Sequence, residues 1–218
     1  MTSLLLASAS PARRATLRSA GVEPLVEVSG VDEDAVLASA AERFGVLGTA
    51  DAVLLLAQAK AQAVAERAEG LDGAPDDLLV LGCDSLLELD GSAYGKPADA
   101  ADAVDRWRRM RGRSGVLHTG HWLVDLRPGE AGTIGATSST LVHFADLSDA
   151  EIDAYVATGE PLEVAGAFTV DGLGGPFVTG IEGDHHGVVG LSLPVLRDLL
   201  VQLGLTMADL WSPRDTAG

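Results

Sequence analysis

The chain has almost no cysteine, since Cys83 is the single cysteine among 218 residues. One thiol cannot form an intramolecular disulfide, and it cannot supply the repeated thiolates of a cysteine-based zinc site. A chain of this length can bury a substantial core without covalent cross-links. The lack of a disulfide framework is typical of a reducing compartment, and we expect a cytoplasmic protein.

Basic residues and long apolar runs are also scarce. Fifteen Lys and Arg residues stand against 32 Asp and Glu residues, which gives a formal net charge of −17. This charge disfavours nucleic acids and anionic membranes as partners, so an anionic ligand needs a local cationic pocket. No apolar run approaches the length that crosses a bilayer. The short run Leu4 to Ala7 precedes Arg13 and Arg14, the reverse of the charge order in a secretory signal.

Lysine is rarer still, because Lys60 and Lys96 are the only lysines and every other basic residue is Arg. An ammonium is a compact charge that suits a phosphate oxygen in a tight site, whereas Arg offers a wider planar fork. The two lysines are therefore candidate phosphate ligands. Chance retention in a chain biased towards Arg explains the same composition.

One carboxylate, Asp84, interrupts the most apolar stretch of the chain. Leu78 to Leu81 is typical of a strand covered on both faces, and Leu86 to Leu89 resumes the pattern before an Asp90-Gly91 turn. Burying an unpaired carboxylate is costly, so Asp84 should meet a cation, a metal or a hydrogen-bonding water. The alternative is that Asp84 ends a strand and bonds local backbone amides.

The N-terminal segment predicts an anion site. Ser3 to Ala7 is typical of a short buried strand, and a helix then begins with Ser10 as N-cap and Pro11 at its first position, ending at Gly21. Free backbone amides at a helix N-terminus bind phosphate. Hydroxyl and guanidinium groups beside those amides are the candidate partners: Ser8, Ser10, Arg13 and Arg14.

Two further helices carry candidate residues. Asp51 to Ala68 is rich in Ala and Leu, and Lys60 falls on its apolar face, so the ammonium either snorkels to solvent or enters a polar cleft. Glu33 lies in the acidic first turn of a helix that ends near Arg43. Such acids can simply complement the helix dipole.

The remaining pattern predicts alternating helices and strands. Strands are predicted over 24–29, 115–126 and 136–144, helices over 98–110, 148–159 and 194–203, and a loop over 70–77. The arginines between 106 and 113 suit a helix C-terminus and are predicted to form mostly a solvated face. His118 and His121 lie on opposite faces of one strand, which disfavours a shared zinc site.

Eight short motifs occur in register along nearly the whole chain: Ser8-x-Ser10-Pro11-x-Arg13-Arg14, Glu33, Lys60-Ala61, Gly82-Cys83-Asp84-Ser85, Gly95-Lys96-Pro97, Thr158-Gly159-Glu160-Pro161, Ala165-Gly166-Ala167 and Val189-Gly190-Leu191. Together they resemble the Maf family. The resemblance implies a mixed α/β fold similar to the inosine triphosphate pyrophosphatases, with a twisted sheet, flanking helices and two lobes about a central cleft. It also implies one two-lobed domain over 1–211 and a homodimer. Residues 212–218 are predicted from their terminal position to form a flexible tail.

The same resemblance implies a nucleoside triphosphate pyrophosphatase that hydrolyses the bond between the α- and β-phosphates. Asp84 would be the proton acceptor that activates water, and with Glu33 it would hold a divalent cation, Mg²⁺ or Mn²⁺. The triphosphate would be bound by Ser8, Arg13, Lys60 and Lys96. Hard oxygen ligands and substrate phosphates are suitable partners for such a cation.

Three departures from the thymidine and uridine triphosphate hydrolases of that family concern substrate choice: Ala12, Ser85 and Asp171. The Ser-Pro-x-Arg-Arg form and the acidic residue at 171 look more like the branch associated with modified purine substrates such as 7-methylguanosine triphosphate. A carboxylate accepts hydrogen bonds only, so an Asp171 that faces the base would favour a donor-bearing edge. Asp171 can equally sit in a turn beside Gly172.

Two functions of other classes use the same residues. A non-enzymatic regulator of cell division or septum formation could bind a nucleotide in this cleft as a sensor, and a nucleotidyl-sugar transferase would need a second substrate. Retention of Asp84, Glu33, Lys60 and Lys96 together favours the enzyme.

Overall fold

The computed structural model describes residues 2–68 and 75–212. The strands within these ranges are β1 (Ser3–Leu6), β2 (Leu25–Val26), β3 (Leu78–Leu89), β4 (Ser92–Tyr94), β5 (Ser114–Asp125), β6 (Gly132–Phe144) and β7 (Val178–Glu182). The α-helices are α1 (Pro11–Ser19), α2 (Glu33–Phe44), α3 (Thr49–Ala68), α4 (Ala100–Met110), α5 (Asp149–Ala157), α6 (His185–Val189) and α7 (Leu193–Gln202). In these ranges, no helix is long and apolar enough to cross a bilayer.

All of these strands join one mixed sheet, as the resemblance implies. The order is β2-β1-β3-β5-β6-β7, with β4 pairing on β3. The pairs formed by β1 with β2 and β3 are parallel, and the other pairs are antiparallel. Helices lie against the sheet, so the predicted fold class is confirmed.

One edge of β3 is left open between two neighbours. Pairing with β1 ends where the Ala7 amide donates to the Leu81 carbonyl at 2.8 Å, and pairing with β4 begins only at Leu87. Among the described strands, neither β1 nor β4 therefore pairs with residues 82–86 along this edge. We call this edge of β3, residues 82–86, the sheet gap.

Helix α3 crosses the sheet at very close range because two strands carry glycine beneath it. A Cβ added at Gly82 would strike the backbone of Ala57, and one at Gly120 would strike the backbone of Val53. The missing side chains let the helix backbone rest on β3 and β5. This close packing brings Lys60 of α3 over the middle of β3.

Three apolar cores flank the sheet. The first core packs β1, α1 and α7 against the sheet and includes Leu6 and Leu81. The second core packs α4 and α5 around Trp107 and includes Leu87. The third core lies between α3 and the sheet and includes Val64. Strand β3 thus contributes to all three, since Val80 also belongs to the third.

Most predicted elements are confirmed, with differences where strands are short. Strand β3 is continuous through Asp84, so the alternative that Asp84 ends a strand is wrong. The strand predicted over 24–29 shrinks to Leu25–Val26, and β4, β7 and α6 were not predicted. Most of the predicted loop over 70–77 and of the predicted tail over 212–218 lies outside the described residues. Ser212 itself donates its amide to the Gly21 carbonyl at 3.0 Å.

Candidate active site

The buried carboxylate of Asp84 meets the cation that its burial demands. Lys60 Nζ lies 2.5 Å from Asp84 Oδ1 and 2.7 Å from Glu33 Oε1. The Lys60 and Asp84 side chains are only 11% and 9% exposed, whereas that of Glu33 is 49% exposed. Lys60 therefore enters a polar cleft instead of snorkelling to solvent. Glu33 also lies in the first turn of α2, as predicted.

The surroundings of Asp84 adjust its basicity. Burial raises the pKa of the Asp84 carboxyl above its ordinary value, and the positive charges of Lys60 and Arg13 partly oppose that rise. A carboxylate whose pKa is raised accepts a proton more readily than one in water. Asp84 is thus a base whose strength depends on the position of Lys60.

A second polar group surrounds the guanidinium of Arg13. Its Nη1 donates to Ser8 Oγ at 3.1 Å, its Nη2 donates to Ser85 Oγ at 3.1 Å, and its Nε donates to the Gly190 carbonyl at 2.7 Å. Ser10 caps α1 by accepting from the Arg13 amide at 3.3 Å, which confirms the predicted N-cap. The predicted anion site at the start of α1 is thus an ordered arrangement of hydroxyls and a guanidinium.

This second group continues into residues that the sequence did not single out. The Ser85 and Thr119 hydroxyl oxygens are 2.9 Å apart, and Thr119 Oγ1 donates to the Gly187 carbonyl at 2.8 Å. Thr119 is fully buried. A buried threonine beside a glycine on a strand has no distinctive spacing, so only the fold reveals its connection to Ser85.

His121 holds the start of α7 through a buried hydrogen bond. Its Nε2 accepts the Ser192 amide at 2.8 Å, and its buried Nδ1 has no hydrogen-bond partner among the described residues. Burial and the nearby Arg13 lower the pKa of His121 to about 4. The ring therefore stays neutral near pH 7 and can accept this bond, which fixes the start of α7.

The two polar groups lie on the two faces of β3 at the sheet gap. Side chains of consecutive strand residues point to opposite faces, so Asp84 faces α3 while Ser85 faces Arg13. Ser8 follows β1, whose carboxyl end borders the gap. Crevices at the carboxyl ends of parallel strands are the usual ligand sites of α/β sheets.

Lys96 belongs to the opposite rim of the sheet gap. Strand β4 runs antiparallel to β3, with Tyr94 opposite Leu87, so the chain that leaves Tyr94 heads back towards Asp84. The Lys96 side chain is 65% exposed, and its Nζ lies 3.8 Å from Glu163 Oε2. Its ammonium is therefore accessible to an anionic ligand.

The structure does not join Arg14 or Asp171 to either polar group. Arg14 is exposed and lies 3.6 Å from Glu23 Oε1 in an ion pair. Asp171 is exposed, in a segment whose neighbouring Leu173 and Gly174 amides donate to the Glu160 carboxylate. Both residues stay predictions as substrate contacts.

Sequence comparison agrees with this architecture. A family model described as Maf-like protein matches residues 3–203.

The chain belongs to the Maf-like protein family.

Several relatives named "Nucleoside triphosphate pyrophosphatase" are similar to this Maf-like chain. A protein of Salinispora tropica is 60% identical over 210 residues, which cover 96% of this chain and 87% of the relative. One from Leifsonia xyli subsp. xyli is 55% identical, covering 96% of each chain. One from Streptomyces coelicolor is 53% identical, covering 97% of this chain and 96% of the relative.

The carboxylates of the Maf-like site fit a divalent cation. Glu33 and Asp84 both point an oxygen at the Lys60 ammonium, so they already converge on one positive charge. Hard cations such as Mg²⁺ are held by one or two carboxylates together with substrate phosphates. The donor set therefore suits such an ion.

A different set of possible metal ligands lies on and beside α6. Asp184, His185 and His186 each offer a ligand atom, and these atoms lie within 4.8 Å of one another. The Asp184 carboxylate already accepts the amides of His186 at 3.2 Å and Gly187 at 3.0 Å, and thereby caps α6. Those bonds give the cluster a structural role independent of any ion.

Proposed function

We propose that this Maf-like protein hydrolyses nucleoside triphosphates to a nucleoside monophosphate and pyrophosphate. The observation that carries this proposal is a buried carboxylate, Asp84, placed between a lysine and an arginine group at the sheet gap. A base beside a cationic cluster is what hydrolysis of a phosphate anhydride requires. The name that the relatives carry supports the same reaction.

Asp84 would act as the general base. It would take a proton from a water molecule whose oxygen attacks the α-phosphorus, while the bond from that phosphorus to the bridging oxygen breaks and pyrophosphate leaves. Lys60, which pairs with Asp84 and Glu33, would turn to a phosphate oxygen when the triphosphate binds. The divalent cation held by the same two carboxylates would then be their positive partner.

The cationic and hydroxyl groups would bind the triphosphate and stabilise the charge that develops on pyrophosphate. They come from the two rims of the sheet gap, from the gap itself and from the helix α3 that covers it: Ser8, Ser10, Arg13, Ser85, Lys60 and Lys96. Mg²⁺ or Mn²⁺, held by Glu33 and Asp84 with the substrate phosphates, would supply Lewis-acid stabilisation of the same charge. A cytoplasmic homodimer is our expectation for the intact protein.

Base selection is proposed to involve Asp171. Its carboxylate is exposed and so is accessible to a ligand. As an acceptor it would favour edges with donors, such as guanine N1 and N2 or cytosine N4, including modified purines.

The deciding experiment measures pyrophosphate release from a panel of standard and modified nucleoside triphosphates with Mg²⁺ or Mn²⁺. We expect release by the wild type, and a loss of about a hundredfold or more in Asp84→Asn with triphosphate binding retained. Asp198→Asn is the matched control, because Asp198 is an exposed aspartate on α7 whose partner is the adjacent Arg197.

Folded wild-type protein that releases no pyrophosphate from any substrate would overturn the proposal and favour a nucleotide sensor. Such a sensor would bind the nucleotide without hydrolysing it, both in the wild type and in Asp84→Asn. Incorporation of the nucleotide into a second substrate would indicate a transferase instead.

A further inference from the structure

Arg106 differs from the other arginines near the end of α4. Its side chain is only 13% exposed, whereas that of Arg108 on the same helix is 45% exposed. The prediction that this basic run forms mostly a solvated face therefore has an exception. A guanidinium is buried to this extent when its donors are occupied.

The Arg106 guanidinium donates hydrogen bonds to the backbone of the Gly95-Lys96-Pro97 loop. Nη1 donates to the Gly95 carbonyl at 2.6 Å, and Nη2 donates to the Lys96 carbonyl at 3.3 Å. The Gly95 carbonyl also accepts the Gly166 amide at 3.1 Å. Two consecutive carbonyls held by one rigid plane fix the orientation of the backbone at Lys96.

Arg106 is itself held firmly. Asp102, one helical turn earlier, accepts from Nε at 3.0 Å and from Nη2 at 2.6 Å. The guanidinium carbon lies 5.3 Å from the centre of the Tyr94 ring. Asp102 also accepts the Ala98 amide at 2.9 Å, so both ends of the loop are tied to the same ion pair. The contacts that hold the loop thus come from the protein itself and need no ligand.

We propose that Arg106 is a positioning residue, which holds the Gly95-Lys96-Pro97 loop so that Lys96 reaches the substrate phosphates at the sheet gap. The proposal rests on the proposed function. Lys96 is largely exposed, and its Nζ is 3.8 Å from Glu163 in a weak surface pair. The Lys96 side chain is thus not held by packing. Whether its ammonium reaches a phosphate therefore depends on the position of the Lys96 backbone.

The test is a double-mutant cycle between Arg106 and Lys96, measured by pyrophosphate release. Arg106→Met removes the fork but keeps most of the apolar stem, and Lys96→Met removes the ammonium. We expect each single variant to lower kcat/KM, with Arg106→Met losing about tenfold to a hundredfold, because small misplacements of a binding group have effects of this size. In the Lys96→Met background, Arg106→Met should cost less than about threefold, since the group it positions is gone.

Two further variants separate positioning from stability. Arg106→Lys keeps one donor and should recover part of the lost kcat/KM, and it remains available if Arg106→Met does not fold. Arg108→Met is the matched control, because Arg108 pairs with Asp105 and Asp149 and does not contact the loop in the described structure. The control should leave kcat/KM within about twofold of the wild type.

The possible outcomes separate a failure of the positioning role of Arg106 from a failure of the proposed pyrophosphatase function. If wild-type protein releases no pyrophosphate, the proposed function itself fails. If the wild type is active and Arg106→Met costs the same factor with and without Lys96, Arg106 has only a structural role and the positioning proposal is overturned. Unchanged kcat/KM in folded Arg106→Met or in Lys96→Met would overturn it as well.

Discussion

At the scale of single residues, the decisive feature is an ammonium between two carboxylates. Lys60 contacts both Asp84 and Glu33, but Asp84 is buried and Glu33 is half exposed. If Lys60 is removed, water can solvate the Glu33 carboxylate, whereas the buried Asp84 carboxylate has little access to solvent. The stability effect of Lys60 should therefore act mainly through Asp84.

Lys60→Met should destabilise the protein in a pH-dependent way. Burial already raises the folded-state pKa of Asp84 above its ordinary value of 3.8, and removing the positive charge of Lys60 raises it further. The folded state then binds the proton more tightly than the unfolded state. The resulting stability is fully present below the ordinary pKa and is lost as pH rises through the folded pKa.

The free energy of unfolding, measured with urea from about pH 4 to about pH 8, should therefore show a deficit that grows with pH and reaches about 3 kcal/mol near neutrality. Lys60→Met/Asp84→Asn is the control, because it lacks the buried titrating group and should show little of this pH dependence. An equal deficit at all pH values would show that Lys60 stabilises through packing alone.

At the scale of elements, the placement of α3 decides whether the site forms. The helix rests on β5 at Gly120, where an added Cβ would overlap the backbone of Val53. Backbone cannot move aside as a flexible side chain can, so the whole helix must shift, and Lys60 would shift with it.

Gly120→Ala should lower the free energy of unfolding by about 3 kcal/mol, the upper range for overpacking, and should reduce pyrophosphate release in the protein that remains folded. Gly132→Ala is the matched control, because a Cβ at Gly132 has nothing within 4 Å and this glycine is not in a left-handed conformation. Its effect should stay within about 0.5 kcal/mol. Equal effects of the two substitutions would exclude close packing of α3 as the cause.

The sequence predicts long elements better than short ones, for physical reasons. The apolar face of α3 and the Ser10 cap of α1 are local signals, and both helices are found where expected. Strand β4, with only three residues, depends on pairing with β3, and such tertiary pairing leaves little trace in local sequence.

The same limit applies to the site. Burial of Asp84 could be inferred from its apolar flanks, and a cation, a metal or a hydrogen-bonding water was expected beside it. The identity of that cation could not be read from local pattern, because Lys60 is on another element. Thr119 and Arg106 act through contacts with distant carbonyls, so only the fold reveals their partners.

At the scale of the whole molecule, the long strands connect the apolar cores. Strand β3 contributes Leu81 to the first core and Leu87 to the second, and β5 does the same with Leu123 and Leu117. The sheet gap lies on β3 between these two contributions. A site placed there is rigid only if both cores are folded. We therefore expect the first and second cores to unfold together, as one cooperative domain.

Trp107 makes this cooperativity measurable. It lies fully buried in the second core, where its Nε1 donates to the Ala167 carbonyl at 2.8 Å. The other tryptophans are suited to replacement by Phe, because Trp122 has a buried Nε1 without a partner in the described structure and Trp211 is 52% exposed. In Trp122→Phe/Trp211→Phe, fluorescence reports the second core alone.

Far-ultraviolet circular dichroism of the same variant reports all helices, including the 20-residue α3 that packs on the third core. If the strands couple the cores, the fluorescence and dichroism transitions in urea should coincide in midpoint and slope. A fluorescence midpoint separated from the dichroism midpoint would show that the second core unfolds by itself. The Lys96 rim of the sheet gap would then be able to open while Asp84 and Lys60 remain in place, and activity in urea should follow the fluorescence transition.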